Sequence, residues 1–126
     1  MTATILIVDD EPDLEALVLQ KFRRQIREGA IDFLFARDGL EALAKLVENP
    51  DVDMVVSDIN MPQMDGLDLL AQIKQRWSDL PVMMVTAYGD EERRRRASEL
   101  GAFEFLTKPV DFDLLKTRLA QLPRAA

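Results

Sequence analysis

The sequence predicts an α/β fold: a doubly wound, five-stranded parallel sheet in the order 2-1-3-4-5, with five helices on its two faces. Three observations lead there. Short apolar runs rich in β-branched residues alternate with longer stretches of helical periodicity. These runs break into polar, turn-forming clusters such as Asp9-Asp10-Glu11-Pro12. The 126 residues can bury roughly two-thirds of their surface in one core, yet fall far short of the about 250 typical of a closed eight-unit barrel. Alternating strands and helices require crossover connections, which makes the sheet parallel and the crossovers right-handed.

Thr4-Ile5-Leu6-Ile7-Val8 is apolar throughout and reads as a strand buried on both faces. Leu14, Leu17, Val18, Phe22 and Ile26 then recur near helical spacing until Gly29, predicting one helix from about Asp13 to Glu28. A second strand spans about Ile31 to Ala36. Asp38 and Glu41 have capping-box spacing ahead of Leu40, Leu43 and Val47, and Asn49-Pro50 ends that helix. Met54 to Ser57 is the third strand. A turn-rich stretch from Asp58 to Gly66 leads into a helix carrying Leu67, Leu70, Ile73 and Trp77, with Trp77 expected to cover a helix end. Pro81 introduces the fourth strand, Val82 to Val85, in which Met83 and Met84 are core filling. The last repeats are a charged helix from about Asp90 to Leu100, a strand from Phe103 to Leu106, and a closing helix with Phe112, Leu115, Leu119 and Leu122. The order 2-1-3-4-5 is the flavodoxin-like one.

One domain over residues 1–126 is expected, with its core from about Thr4 to Leu122 and residues 123–126 as a frayed tail or linker stub. No apolar run is long enough to span a bilayer, and no basic or apolar leader precedes the first strand, so a cytoplasmic location without membrane contact is expected. The chain has no Cys and no His, which excludes thiolate nucleophiles, zinc-finger ligand sets, imidazole bases and phosphohistidine carriers within it. A net charge of −7 opposes direct nucleic-acid binding.

In open α/β sheets ligands bind beyond the carboxyl ends of the strands. There the sequence places Asp9-Asp10, Asp58, Thr86 and Thr107-Lys108-Pro109. Three carboxylates and one ammonium form an unfavourable anionic cluster unless protons or a divalent cation compensate. An all-oxygen donor set suits Mg²⁺, with Mn²⁺ as a substitute. With positive charge from the metal and from Lys108, a carboxylate oxygen can attack phosphorus, because phosphoryl transfer depends mainly on alignment and charge neutralisation. Asp58 is the candidate nucleophile. Each residue alone has a blander reading: Asp9-Asp10 as a helix cap, Asp58 as a turn residue, Thr86 as an ordinary strand threonine, Lys108 as a solvated lysine before a trans Pro109. Their joint placement at matching strand ends favours the site.

Ile7-Val8-Asp9-Asp10-Glu11-Pro12, Ser57-Asp58-Ile59-Asn60-Met61-Pro62 with Asp65-Gly66, Thr86-Ala87, and Lys108-Pro109 preceded by Phe105 together resemble response-regulator receiver domains of two-component signalling, with a chemotaxis-regulator-like fold. The likeness extends from about Thr4 to Leu122. It implies that Asp58 accepts a phosphoryl group from the phosphohistidine of a sensor histidine kinase or a histidine phosphotransfer protein. It implies that Asp10 binds Mg²⁺ directly, Asp9 largely through water, and Asn60 through its backbone carbonyl. Lys108 would pair with the phosphoryl oxygens from a cis Lys108-Pro109 peptide, while Thr86 moves inward to donate its hydroxyl and Phe105 changes rotamer. Asn60 and Tyr88 would govern the approach of water, with bulky Tyr88 slowing hydrolysis of the phospho-form.

The expected function is a phosphorylation-activated switch that transfers phosphate to itself and slowly loses it, without turnover of an external metabolite. Its readout face is expected on the fourth helix, fifth strand and fifth helix, toward an output domain, a separate protein or a second copy in a homodimer. A receiver-fold interaction module independent of phosphorylation is the alternative. An Mg²⁺-dependent aspartyl phosphatase fits worse, because such enzymes commonly carry Asp-x-Asp after the first strand and this chain has Asp9-Asp10-Glu11. In the run Arg93 to Arg96, Glu91 and Glu92 stand four residues before Arg95 and Arg96, so a self-paired helix face is expected, with an interaction surface as the other reading. Met61 and Met64 are expected near the mouth of the Asp58 loop.

Overall fold

The computed structural model describes residues 2–61, 64–87 and 90–120. Five strands, β1 (Ala3–Val8), β2 (Ile31–Ala36), β3 (Met54–Asp58), β4 (Val82–Thr86) and β5 (Glu104–Thr107), form one parallel sheet in the order β2-β1-β3-β4-β5. This is the predicted order. The strand ends shift slightly: β3 and β4 each run one residue further than expected, so Asp58 and Thr86 are the last residues of their strands.

The helix count needs correction. Six helices stand among the described residues: α1 (Leu14–Lys21), α2 (Arg23–Arg27), α3 (Gly39–Glu48), α4 (Gly66–Arg76), α5 (Glu91–Glu99) and α6 (Phe112–Ala120). The single helix expected from Asp13 to Glu28 is divided at Phe22, whose backbone sits at φ −105° and ψ 16°, outside regular α geometry. Phe22 is fully buried, its ring edge-on to Phe33 with centroids 5.0 Å apart and Lys116 Nζ 5.6 Å from its centroid. Hydrogen bonds continue across the break, from Phe22 N–H to the Val18 carbonyl at 3.0 Å and from Ile26 N–H to the Phe22 carbonyl at 2.9 Å. The periodicity therefore spans a local bend that it does not reveal.

Alternation along the strands builds two cores. Ile5, Ile7, Met54, Val56, Met83 and Val85 face Val18, Phe22, Leu115 and Leu119 of the first and last helical segments. Leu6, Val8, Val55, Val82 and Met84 face the apolar stripes of α3 and α4 and Ala97 of α5. Adjacent Met83 and Met84 thus fill opposite sides. Burial on both faces explains why the central strands read as continuous apolar runs.

Local sequence sets the helix starts. Asp38 accepts a hydrogen bond from Glu41 N–H at 2.9 Å at the head of α3, and Asp65 accepts one from Asp68 N–H at 3.0 Å at the head of α4. Trp77 is the residue that closes α4, its N–H bonded to the Ile73 carbonyl at 2.7 Å, and it packs half-buried against the second core. No described helix is long and apolar enough to cross a membrane. Pro62, Tyr88, Leu122 and the tail 123–126 lie outside the described residues.

Candidate functional site

The parallel sheet collects the carboxyl ends of β1, β3, β4 and β5 on one edge, and the predicted residues arrive there from separate parts of the chain. Carboxylate oxygens of Asp9, Asp10 and Asp58 lie within 4.8 Å of one another. Asp10 is exposed and Asp9 half-buried, whereas Asp58 is 3% exposed. Lys108 Nζ donates to Asp58 Oδ2 at 2.7 Å, and Asn60 N–H donates to Asp58 Oδ1 at 3.2 Å, so both oxygens of this carboxylate have a protein partner. The Lys108-Pro109 peptide is cis, and the Lys108 amide donates to the carbonyl of Thr86 at 2.8 Å.

Burial pushes the Asp9 carboxyl above its usual pKa. The charges of Asp58 and Asp10 push the same way, and together they outweigh the hydrogen bond from Glu11 N–H and the nearby Lys108 ammonium. For Lys108, partial burial disfavours the ammonium, but the hydrogen bond to Asp58 and the fields of Asp58, Asp9 and Asp10 prevail and raise its pKa. Three crowded carboxylates with one ammonium leave a net negative oxygen cluster. Its donors suit a hard divalent cation, and a site of this kind commonly binds Mg²⁺ through one or two carboxylates and several waters.

Thr86 is buried at the end of β4, but its hydroxyl lies 3.5 Å from the Leu106 carbonyl and is directed along β5. Phe105, opposite Met84 in the β4–β5 register, is half-buried against the second core. Met61 also packs against that core. Met64 packs against it as well and reaches the start of α3, where a Cβ on Gly39 would meet its Cγ and Sδ at 2.8 Å, and its Sδ lies 3.9 Å from Gln72 Nε2.

The arginine run behaves differently from its expected pairing. Arg95 meets Glu92 at 3.9 Å and Glu99 at 4.0 Å, while the expected pairs Glu91 with Arg95 and Glu92 with Arg96 are absent among the described residues. Arg93 reaches off its helix to Asp65 Oδ2 at 3.2 Å and to the Ile59 carbonyl at 3.4 Å. The Arg94 guanidinium carbon stands 4.9 Å from the centroid of the Phe105 ring. Sequence reasoning missed these contacts, along with the close approach of Gly66 to the Asp58 backbone. Residues 28 and 34 positions apart carry no local signal of meeting.

An open groove of about 570 Å³ runs beside the carboxylates, between Asp9 and Lys108 and the apolar Leu14, Leu17, Pro109 and Phe112. A larger cavity of about 650 Å³ lies at the opposite ends of the strands, between Trp77, Pro81 and Phe103, away from the acidic cluster.

Comparison with known proteins agrees with this architecture. The family profile described as response regulator receiver domain matches residues 5–120. The chain is 41% identical over 115 residues to the response regulator protein PilR of Pseudomonas aeruginosa, covering 91% of this chain and 25% of that protein. It is 36% identical over 123 residues to the sensor protein EvgS of Escherichia coli K12, covering 98% of this chain and 10% of that protein. The chain thus spans a quarter or less of the length of these curated relatives. Among solved structures, a response regulator receiver protein from Pseudomonas putida superposes with a TM-score of 0.85 at 28% identity, covering 96% of this chain and 98% of that one. The chemotaxis protein CheY4 of Vibrio cholerae superposes with a TM-score of 0.84 at 26% identity, covering 98% and 100%. With a profile match over nearly its whole length and the strand-end residues gathered on one edge of the sheet, the chain belongs to the response regulator receiver domain family.

Proposed function

We propose that this chain is a phosphorylation-activated switch of a two-component system, forming one receiver domain. The single observation that carries the reading is the 2.7 Å contact of Lys108 Nζ with the buried Asp58 carboxylate, beside the carboxylates of Asp9 and Asp10. Lys108 holds the Asp58 carboxylate in a fixed orientation through the hydrogen bond to its Oδ2. An oxygen of Asp58 attacks the phosphorus of a phosphohistidine, the P–N bond breaks, and the imidazole leaves with the electron pair. Asp9, Asp10, Asp58 and the Asn60 carbonyl would hold Mg²⁺, or Mn²⁺ in its place, and such an ion would supply positive charge against the phosphoryl oxygens. A kinase or phosphotransfer protein approaches the site over the groove lined by Asp9, Leu14, Lys108 and Phe112.

Aspartyl phosphate adds negative charge and acceptor oxygens, by analogy with other phosphorylations. Lys108 pairs with these oxygens, and Thr86 exchanges its long contact with the Leu106 carbonyl for a phosphoryl oxygen. Phe105 and the elements around it shift with Thr86. The fourth and fifth helices of the sequence pattern correspond to α5 and α6, so α5, β5 and α6 form the face read by an output domain, a separate protein or a second copy. The protein acts in the cytoplasm and turns over no external metabolite. Its only chemistry is taking up phosphate and releasing it.

The test is incubation with a small phosphodonor and Mg²⁺, followed by intact-mass measurement of the parent and of Asp58→Asn. A labile phosphate adduct confined to the parent is the expected result. An unmodified parent would overturn the switch in favour of a phosphorylation-independent interaction module, and steady release of phosphate from small phosphomonoesters would point to a phosphatase.

A further inference from the structure

We propose that Arg93 is a positioning residue for the metal-binding edge of the site, clamping the segment that follows Asp58 to α5. The inference rests on the reading of Asp9, Asp10, Asp58 and Asn60 given above and assigns a role to a residue outside that set.

Arg93 lies in the first turn of α5, and its Nη2 is 3.4 Å from the Ile59 carbonyl and 3.2 Å from Asp65 Oδ2. These acceptors stand at the two ends of the loop from β3 to α4. The loop is already drawn together by the Gly66 N–H, which donates to the same Ile59 carbonyl at 2.7 Å. Two donors therefore converge on this oxygen, one from α4 and one from α5, matching its two lone pairs. Asp65 is shared in the same way, with Oδ1 capping α4 through Asp68 N–H and Oδ2 facing Arg93.

The location gives the clamp its consequence. Ile59 is fully buried between the phosphoacceptor Asp58 and Asn60, whose N–H is bonded to Asp58 Oδ1. Holding the Ile59 carbonyl fixes a peptide plane adjacent to both residues. Among the described residues Arg93 makes no such contact on its own helix: its buried Nε has no hydrogen-bond partner there and only a 3.8 Å ion pair with Asp90. Groups that orient ligands from behind tune metal affinity, and coupling between two positions is reciprocal. The placement of α5 and the affinity of the acidic cluster for a divalent cation are therefore linked through Arg93.

The experiment measures Mg²⁺ affinity by calorimetry and Gly66 amide hydrogen exchange in the metal-free protein. The parent is compared with Arg93→Ala, Arg93→Lys, Asp65→Asn and the double variant Arg93→Ala/Asp65→Asn. Asn is as good an N-cap as Asp, so Asp65→Asn removes the charge facing Arg93 while keeping the cap. Arg93→Ala is expected to weaken Mg²⁺ binding by about tenfold and to speed Gly66 exchange. Arg93→Lys, with charge but no fork, should restore part of both and serves as the test variant if Arg93→Ala does not fold. The double variant should be no weaker than Arg93→Ala alone. Parent-like Mg²⁺ affinity and Gly66 exchange in the Arg93 variants, or full additivity in the double variant, would overturn the clamp while leaving the metal site standing. A parent that binds no Mg²⁺ would overturn the metal reading and the clamp with it.

Discussion

Lys108 Nζ meets Asp58 Oδ2 at 2.7 Å across the end of the intervening strand β4, whose last residue, Thr86, holds the Lys108 amide through its carbonyl. The pair is unequal: the Asp58 side chain is 3% exposed and that of Lys108 42%. Removing the lysine leaves a buried carboxylate beside two others. Lys108→Ala is expected to lower stability by about 1–2 kcal/mol without divalent ions, the modest size reflecting solvent screening of the half-exposed ammonium. Urea denaturation checks this. Adding Mg²⁺ should recover part of the loss, and in Asp58→Asn the same lysine substitution should cost little.

The acidic cluster also predicts a pH dependence. Because the folded state raises the Asp9 pKa, it binds that proton more tightly than the unfolded chain does. Stability from this group is present at low pH and declines as pH rises from about 4 through the folded value. Lys108, also raised, contributes stability that is complete below about pH 10 and lost at higher pH. Thermal melts of metal-free parent and Asp9→Asn should diverge through the acidic range, with the variant gaining relative to the parent as pH increases. Parallel profiles would show that Asp9 ionises at no cost to the fold.

The strand order and the candidate cluster were legible because both rest on local patterns. Buried parallel strands appear as apolar runs, and the residue ending each run falls on the ligand-binding edge. Asp9, Asp10, Asp58 and Lys108 could be gathered from sequence alone for that reason. The bend at Phe22 was not legible, since helical spacing of the apolar residues persists through it and the Phe22 ring packs on Phe33, a contact between distant segments. Nor were the roles of the arginines. Glu91 and Glu92 offered partners at helical spacing, but Arg93 is drawn across to Asp65 and Ile59 and Arg94 onto Phe105, both contacts between distant segments.

Gly66 permits the close approach of α4 to β3. A Cβ there would collide with the carbonyl oxygen of Asp58 and lie 2.6 Å from the Ile59 Cα, both backbone atoms unable to swing aside. Gly66→Ala is expected to cost about 1–3 kcal/mol and to weaken Mg²⁺ binding, because relief of the clash moves the segment that carries Asp58 and Asn60. Gly39→Ala is the control: the nearest atoms its Cβ would meet are Cβ, Cγ and Sδ of the Met64 side chain rather than the backbone of Asp58 and Ile59. Denaturation and Mg²⁺ titration of both variants should separate them, with Gly39→Ala losing less stability and retaining parent-like metal affinity.

Arg94 covers the ring proposed to move on phosphorylation. Its guanidinium carbon is 4.9 Å from the Phe105 centroid, within range of a cation–π attraction, while its own side chain is exposed. At an exposed site such a contact is worth about 0.5–1 kcal/mol, which corresponds to a factor of about 2–5 in the balance between two ring positions. Arg94→Ala is therefore expected to depopulate the ring position seen here even without phosphate. Arg94→Lys should fall between the variant and the parent, since an ammonium keeps the attraction but not the stacking of a planar group. Fluorine-labelled phenylalanine at position 105 reports the populations directly by NMR, before and after addition of a phosphodonor. An Arg94→Ala spectrum identical to that of the parent in both conditions would leave packing against the second core as what holds the ring.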